Sequence, residues 1–296
     1  MDEIPMHHEA NTQQSHWLRR GLLLSAAFAA TGALVVVPAQ AEPTLPGFGS
    51  GSSQPALDQP PAQAPFAPPN INIADGETVG VAQPIIITFK EPVDDRAAAE
   101  RAIKVTSSAN VPGNFYWTGT KQVRWKPTEF WPANTDVTVV AGGTSSSFHI
   151  GDAFIATVDD NTKMITVTVN GEVVKQMPTS LGKPGYETPN GTYIVGERLE
   201  KMTMDSSTYG VPVTDPEGYK IDVEYATRLS NSGIFLHAAP WSVGQQGYSN
   251  ASHGCLNVST ENAKWFLENS RRGDAVIVSN TQGPTLSAGD GLGDWN

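Results

Sequence analysis

Short apolar or alternating runs fill the chain from residue 71 to residue 280, and turn residues separate them about every ten positions. Runs of this length and period are typical of β-strands. Between residues 71 and 150 they read PIIITFK, IKVTSS, NFYWTG, QVRWKP, TDVTVVAGG and SSFHIG. Between residues 151 and 280 they read AFIATVDD, MITVTVN, VVKQMPTSL, GTYIVGE, SGIFLH and DAVIVSN. The pattern predicts a mainly β protein, with a small antiparallel sandwich at 71–150 and a second β-rich domain at 151–280.

Two segments carry helical signals instead. DDRAAAERAI predicts a short helical crossover in the first domain, capped by Asp94 or Asp95. STENAKWFLENSRRG predicts a helix in the second domain that begins at Ser259 or Thr260 and ends at Gly273. The face of this helix that points to the core is expected to carry Ala263, Phe266 and Leu267.

Residues 1–41 are predicted to be a secretory signal peptide. Leu18-Arg19-Arg20 precede the apolar run GLLLSAAFAATGALVVV, and the small residues Ala39 and Ala41 fit cleavage after Ala41. An uncleaved membrane anchor is the alternative, because the apolar run is near the short limit for crossing a bilayer. Both interpretations place the folded part outside the cytoplasm.

Residues 42–70 hold eight prolines and almost no charge, which predicts a Pro-rich linker. The tail at 281–296 is glycine-rich. Either Trp295 docks this tail onto the folded body, or the tail frays.

The chain has 30 acidic against 19 basic residues and a formal net charge of −11. This balance argues against a nucleic-acid partner, because a nucleic-acid-binding surface is basic.

The only cysteine of the chain, Cys255, lies in the polar, glycine-bearing stretch SHGC. Three interpretations compete: a buried small hydrophobe, a metal ligand together with His237 and His253, and a nucleophile. The stretch suits an exposed loop better than a core strand, and no further metal-ligand motif accompanies it. We therefore favour a nucleophile, whose thiolate attacks a carbonyl while an imidazole accepts and returns the proton.

His237 is the favoured base, because it closes the apolar run SGIFLH and is expected at a strand end with a fixed orientation. His253 is the alternative base, but the backbone sets its distance from a cysteine only two positions away. Gly254 lets the backbone bend so that successive N–H groups converge on a developing oxyanion. A backbone carbonyl can orient the imidazole in place of a third, acidic residue.

His237, fourteen further residues and then Ser-His-Gly-Cys-Leu-Asn resemble the signature of the L,D-transpeptidases, which have a YkuD-type catalytic domain. LGKPGYETPNGTY, at 181–193, resembles a second segment of that family. KMTMDSSTYGVPV, the stretch at 218–259 and the tail DGLGDWN are similar to mycobacterial members, which place one or two immunoglobulin-like domains before the catalytic domain. The resemblance implies an N-terminal immunoglobulin-like β-sandwich, then a YkuD-type β-rich catalytic domain with one or two short helices.

The same resemblance implies the reaction, a 3→3 cross-link between two meso-diaminopimelate residues of peptidoglycan. Cys255 would attack the carbonyl of the third residue of a tetrapeptide donor stem, and D-Ala would leave. The side-chain amine of an acceptor meso-diaminopimelate would then take the acyl group from the thioester. His237 would move the protons, held by the backbone carbonyl of Ala238. No metal or organic cofactor is implied, carbapenems are expected to acylate Cys255, and the site of action would be the periplasm or cell wall.

Further site residues follow from the resemblance. The oxyanion is expected at the N–H groups of His253, Gly254 and Cys255, with the Tyr219 hydroxyl as a further donor. The other predicted substrate-binding residues are Met204 on a flap over the site, Trp241 on its rim, and Ser232, Gly233, Ser252 and Asn257.

Residue types alone leave alternatives for several of these positions. Met204 and Trp241 could equally belong to the core, because both types are usually buried. Tyr219 could simply flank a turn, and Asn257 could cap the turn before Ser259. Two other functions also fit the sequence: a carboxypeptidase or endopeptidase that resolves the same acyl-enzyme with water, and a wall-binding module with an inert site.

Overall fold

The computed structural model describes residues 64–290 and 295–296. The predicted signal peptide and most of the predicted linker therefore lie outside the described residues. Among the residues that are described, no helix is both long enough and apolar enough to cross a bilayer.

The first domain consists of eight strands and one helix. Its strands are β1 (Asn70–Ile71), β2 (Thr78–Val79), β3 (Ile85–Thr88), β4 (Ile103–Ser107), β5 (Gly113–Trp117), β6 (Gln122–Pro127), β7 (Thr135–Ala141) and β8 (Thr144–Ile150). They form two four-stranded sheets, in the orders β1-β3-β6-β5 and β2-β8-β7-β4. Alternate residues of β7 are buried, because successive side chains of a strand point to opposite faces. The two sheets bury one common apolar core, which is the predicted sandwich. It is not antiparallel throughout, because β2 pairs with β8 in parallel.

The predicted crossover helix is present as α1 (Arg96–Arg101). Its N-cap is Asp95, whose Oδ1 accepts a hydrogen bond of 2.8 Å from the backbone N–H of Ala98. A side-chain acceptor at this position satisfies a backbone donor that the first helical turn leaves free.

The second domain contains nine strands, one α-helix and two short 3-10 helices, at Ser206–Tyr209 and Pro240–Ser242. Its strands are β9 (Phe154–Asp159), β10 (Met164–Val169), β11 (Glu172–Pro178), β12 (Gly191–Ile194), β13 (Arg198–Asp205), β14 (Lys220–Arg228), β15 (Phe235–Ala238), β16 (Leu256–Val258) and β17 (Ala275–Ser279). A five-stranded sheet has the order β11-β10-β9-β17-β12, and a four-stranded sheet has the order β13-β14-β15-β16. Residues of both sheets share one apolar core, so the predicted mainly β class is confirmed for both domains.

The helix of the second domain, α2 (Thr260–Asn269), buries Ala263 and Phe266 in that core, as predicted, whereas Leu267, which was also expected there, is only partly buried. Ser259 is its N-cap, and the Oγ atom accepts a hydrogen bond of 3.2 Å from Asn262 N. The predicted end at Gly273 is wrong. The helix stops at Asn269 because Ser270 has an extended backbone and Arg198 Nη1 donates to the free carbonyls of Leu267 and Ser270.

The hairpin of β13 and β14 was not predicted as strands. Both strands carry four charged residues, and the buried positions of β13 do not alternate regularly with the exposed ones. In β14, Ile221, Val223 and Tyr225 alternate with charged residues, so the period of a strand is present there although the strand was not predicted. We call residues 204–219, which are the loop between these strands and the last two residues of β13, the flap.

Close backbone contacts join the two domains. Gly80 N donates to Arg272 O and Ala82 N donates to Gly273 O, each at 2.8 Å. The guanidinium of Arg272 binds the carboxylate of Glu77, with an Nη2–Oε1 distance of 2.7 Å. A Cβ atom on Gly80 would lie 2.2 Å from the backbone nitrogen of Asp274, so only glycine allows this approach.

The C-terminal tail is docked. Trp295 Nε1 donates to Ala82 O at 2.8 Å, and the indole packs edge-on against Phe130 of the first domain. Lys126 Nζ lies 4.6 Å from the centre of the same ring. Leu286 is buried in the core of the second domain. The docked alternative for Trp295 is therefore the one that the structure adopts.

Candidate active site

The site is built on one face of two neighbouring strands. β15 and β16 pair in parallel, and His237 lies opposite Asn257 in their register. Their neighbours in sequence point into the core of the second domain: Leu236, Ala238, Leu256 and Val258. Because strand side chains alternate between faces, His237 and Asn257 point to the opposite face. Cys255, two residues before Asn257, lies on this same side and packs against Phe235. We call this side the catalytic face.

The imidazole of His237 is buried, with 4% of the residue exposed. Its Nδ1 lies 2.9 Å from the backbone oxygen of Ala238. A carbonyl oxygen only accepts, so Nδ1 carries the hydrogen and Nε2 is the nitrogen that can take up a proton. Burial lowers the pKa of His237, and the Ala238 carbonyl opposes that shift. The side chain is therefore an oriented, neutral base at neutral pH.

Cys255 is a free cysteine whose residue surface is only partly accessible. Burial raises the pKa of its thiol to about 11, although the backbone N–H of Phe235 acts in the opposite direction. The Sγ atom lies 3.8 Å from Gly233 O, which suits a weak S–H donor. The resting pair is therefore a neutral thiol and a neutral imidazole, without a preformed ion pair.

A tight turn at residues 252–255, which we call the catalytic turn, presents the cysteine. Gly254 has a φ of 117°, a region that residues with a side chain rarely adopt. Its N–H donates to Ser252 Oγ at 3.1 Å, and Ser252 Oγ donates to Cys255 O at 2.7 Å. We expected the Gly254 amide at the oxyanion, but this local side-chain turn uses it instead. Ser252 thus shapes the turn.

A cavity of about 210 Å³ adjoins the catalytic face. It brings together most of the predicted site residues, and its lining consists of Met204, Tyr219, Ile221, His237, Trp241, Ala251, Ser252, His253, Cys255 and Asn257. Trp241 is 53% exposed, so it lies on the rim and not in the core. Met204 is 8% exposed, and it is both a core residue and a site residue. It packs in a small apolar cluster with Cys255 and also lines the cavity.

Tyr219 lines this cavity, and its hydroxyl is hydrogen-bonded to that of Tyr209. Burial, the neighbouring Tyr209 hydroxyl and the proximity of Cys255 raise the pKa of Tyr219 above its ordinary value. The phenol therefore keeps its proton throughout the neutral range. Its ring centre lies 5.3 Å from that of His253, so it covers the catalytic turn and is not a mere turn-flanking residue.

Asn257 does not cap the following turn, since it lies within β16 and Ser259 caps α2. It is 3% exposed, and its Nδ2 donates to Ser242 Oγ at 3.2 Å. Its Oδ1 has no hydrogen-bond partner within the described part of the chain. A buried acceptor in a cavity wall is a suitable partner for a ligand N–H.

Ser232 and Gly233 line a second cavity, of about 310 Å³, which shares Met204 and Tyr219 with the first. Gly233 also reaches the nucleophile, since its carbonyl oxygen lies 3.8 Å from Cys255 Sγ. The backbone N–H and the Oγ of Ser232 both bind the carboxylate of Asp290, each at 2.6 Å. The C-terminal tail thus holds one wall of this second cavity. Asp290 is the first residue of the segment DGLGDWN, but the sequence did not predict its contact with Ser232.

His253 is tied to an acid that the sequence did not reveal. Its Nε2 lies 2.7 Å from Glu217 Oε2, and Lys183 Nζ lies 2.5 Å from the same oxygen. This engagement favours His237 over His253 as the base. Glu217 and Lys183 are separated by 34 positions. Lys183 lies in the family-like segment at 181–193, but the sequence assigned no role to it, and no motif pointed to Glu217. Within the described residues, no group of three or more His, Cys, Asp or Glu side chains is arranged to hold a metal ion.

Comparisons with known proteins agree with this geometry. The family model described as a bacterial Ig domain matches residues 61–143, and that of the L,D-transpeptidase catalytic domain matches residues 153–278. L,D-transpeptidase 2 of Mycobacterium tuberculosis is 50% identical over 267 residues, which cover 86% of this chain and 65% of the relative. L,D-transpeptidase 1 of the same organism is 41% identical over 219 residues, which cover 74% of this chain and 87% of the relative.

A solved structure gives the same picture. The structure of the LD transpeptidase LdtMt1 in complex with imipenem superposes with a TM-score of 0.69 at 40% identity. It covers 73% of this chain and 100% of the matched chain. The chain spans less than two thirds of the length of the first relative and most of the length of the second. The predicted immunoglobulin-like domain and YkuD-type catalytic domain are both confirmed.

Proposed function

Because the chain belongs to the L,D-transpeptidase family, we propose that it forms 3→3 cross-links between peptidoglycan stem peptides, with Cys255 as the nucleophile. One observation carries this proposal: Cys255 and His237 share the catalytic face beside one cavity, and Ala238 O fixes the tautomer of the imidazole. A nucleophile, an oriented base and a concave site are the minimum that acyl transfer requires.

The first half-reaction acylates the cysteine. His237 Nε2 accepts the thiol proton of Cys255 while Sγ attacks the carbonyl carbon of the third residue of a tetrapeptide donor. The Tyr219 hydroxyl and the backbone amides of His253 and Cys255 stabilise the oxyanion, because the amides of Ser252 and Gly254 already donate to Leu181 O and Ser252 Oγ. His237 then donates the proton to the amine of D-Ala as the C–N bond breaks. The products are a thioester and free D-Ala.

The neutral resting pair determines when the proton moves. A thiol with a pKa of about 11 does not ionise at neutral pH before the substrate arrives. Proton transfer to His237 is therefore coupled to attack, and the imidazole acts as a general base. Desolvation keeps the thiol unreactive until a carbonyl is placed next to it.

The second half-reaction transfers the acyl group. The side-chain amine of a meso-diaminopimelate residue in an acceptor stem attacks the thioester carbon and gives a proton to His237. The C–S bond breaks, and the sulfur regains that proton. One amide bond is broken and one is formed, without water. The small cavity and the desolvated thiol support transfer to an amine over hydrolysis, because exclusion of water separates the two outcomes.

Two further proposals accompany this function. The related LdtMt1 was solved in complex with imipenem, and we propose that carbapenems acylate Cys255 in this chain. We also propose that the chain is exported and acts on the outer side of the plasma membrane, where stem peptides are cross-linked. The signal-like segment at 1–41 supports export.

Intact-protein mass spectrometry tests the proposed function. The protein and its Cys255→Ala variant would be incubated with a disaccharide-tetrapeptide donor, and separately with imipenem. An adduct on the wild type alone, together with a 3→3 dimer in the donor reaction, is the expected result. Shortened stems without dimer would replace the proposal with a hydrolase. If neither compound formed an adduct on folded protein with a reduced thiol, the nucleophile would be rejected and a binding module would remain as the function.

A further inference from the structure

The C-terminal arm of the flap is attached to the catalytic turn through one carboxylate. Glu217 Oε2 accepts hydrogen bonds from Lys183 Nζ, at 2.5 Å, and from His253 Nε2, at 2.7 Å. The carboxylate is about 41% exposed, whereas the side chains of Lys183 and His253 are 29% and 21% exposed. Lys183 and His253 lower the pKa of Glu217, so the carboxylate is ionised across the neutral range.

The two partners of Glu217 belong to a rigid base. Lys183 N donates to Ser252 O at 2.9 Å, which joins the segment at 181–188 to the catalytic turn. Thr188 Oγ1 donates to Gly254 O at 2.8 Å and accepts from Gly182 N at 3.0 Å. These bonds hold the backbone of Lys183 next to that of the catalytic turn, independently of the flap.

The flap is closed at its root and attached a short way along its C-terminal arm. At the root, Ser206 N donates to Tyr219 O and Tyr219 N donates to Ser206 Oγ, both at 2.9 Å. Two residues before Tyr219, Glu217 N donates to Asp215 Oδ1 at 2.9 Å, which shapes the turn that presents the carboxylate. Glu217 is two residues from Tyr219, so a bond at Glu217 limits the movement of the tyrosine ring directly.

We propose that Glu217 is a positioning residue that latches the flap onto the catalytic turn and thereby fixes the Tyr219 hydroxyl over Cys255. The inference rests on the proposed function, because it assigns a consequence for acyl transfer to this contact. Glu217 touches neither the thiol nor the cavity, and it acts through Tyr219 and His253. The ring contact between Tyr219 and His253, at 5.3 Å, is the surface that the latch keeps closed.

Substitutions at Glu217 test the latch. Glu217→Ala removes both bonds, whereas Glu217→Gln keeps an acceptor oxygen at the same length. Glu268→Gln is the matched control, since Glu268 is half-exposed, pairs with Lys264 on α2 at 3.8 Å and changes the charge equally. Each protein would be measured for the maximum rate and half-saturating concentration of imipenem adduct formation, amide hydrogen exchange and thermal unfolding.

Glu217→Ala is expected to lower the maximum rate about three- to tenfold, because two charge-assisted bonds to a half-exposed carboxylate are lost. The half-saturating concentration should change less, since the latch acts on the transition state through Tyr219. Amide exchange should increase within residues 204–219 only, and the unfolding midpoint should stay close to that of the wild type. Glu217→Gln should recover part of the rate, and Glu268→Gln should match the wild type.

Several results would overturn the latch. If Glu217→Ala left both the rate of adduct formation and the amide exchange of the flap unchanged, the contact would have no role in positioning the flap. A large drop in the unfolding midpoint, together with a rate for Glu217→Gln no higher than that of Glu217→Ala, would mean that Glu217 only stabilises the fold. Failure of the wild type itself to form an adduct would contradict the proposed function instead. In that case the exchange measurement still decides whether the contact holds the flap.

Discussion

The protonation state of Cys255 gives a prediction whose size can be worked out from the structure. Burial raises the thiol pKa to about 11, against an ordinary value of about 8.5. At pH 7 about one molecule in ten thousand then carries a thiolate. His237 has a lowered pKa, so proton transfer to it in the resting enzyme is uphill by more than four pK units, or about 6 kcal/mol.

Alkylation by iodoacetamide measures this state directly, because Cys255 is the only thiol of the chain. The rate is expected to rise about tenfold per pH unit from pH 7 to pH 10 without a plateau, since only the thiolate reacts. N-acetylcysteine, as a reference thiol, should level off above its ordinary pKa. His237→Asn should leave the alkylation curve nearly unchanged while it abolishes acylation by imipenem.

A preformed ion pair would behave differently. Its alkylation rate would reach a plateau below pH 7, and His237→Asn would remove that plateau. Either observation would refute the neutral resting pair. It would mean that the thiolate exists before substrate binds, and that the imidazole contributes charge more than proton transfer.

Two further predictions concern the catalytic turn and the junction between the domains. Gly254→Ala should slow imipenem adduct formation strongly, with a loss of stability of about 1–3 kcal/mol in urea unfolding, because φ is 117° there although the added Cβ would find ordinary space. Asp274 is fully buried, and burial raises its pKa to about 7. An acid whose pKa is raised by folding binds its proton more tightly in the folded state, so stability falls as the pH rises from about 4 to about 7, by up to about 4 kcal/mol. Asp274→Asn should flatten this pH dependence of stability. Its unfolding midpoint should exceed that of the wild type at pH 8, with a smaller difference at pH 5. Equal midpoints at pH 8 would contradict the raised pKa of Asp274.

Much of the fold followed from the hydrophobic pattern. Strands such as β7 and β17 have regular or continuous apolar positions, and the caps Asp95 and Ser259 are local signals. The β13–β14 hairpin was missed although Ile221, Val223 and Tyr225 alternate with charged residues in β14, because charged residues outnumber the buried apolar residues in both strands. The glycine signal at Gly273 placed the end of α2 too late, since tertiary bonds from Arg198 stop the helix earlier.

Some residues of the candidate site could be predicted from the sequence, and others could not. Cys255 and His237 could be predicted because their chemistry is rare and their spacing is characteristic. The contacts of Glu217 with Lys183, and of Asp290 with Ser232, join residues 34 and 58 positions apart. Their residue types are ordinary, so only the folded chain brings them together. The hydrogen bond that occupies the Gly254 amide also depends on a turn geometry that residue identity does not determine.

The alternation along β15 and β16 has a consequence for evolution. Leu236 and Leu256 fill the core, while the next residue in each strand, His237 and Asn257, faces the cavity. A shift of one residue in this pairing would bury an imidazole in the core and expose leucine to the substrate. Selection for a stable protein therefore also preserves the alignment that acyl transfer needs. A variant in which β15 and β16 pair one residue out of register loses the fold as well as the active site. Neutral substitution in the core therefore cannot change the catalytic alignment while the fold is kept.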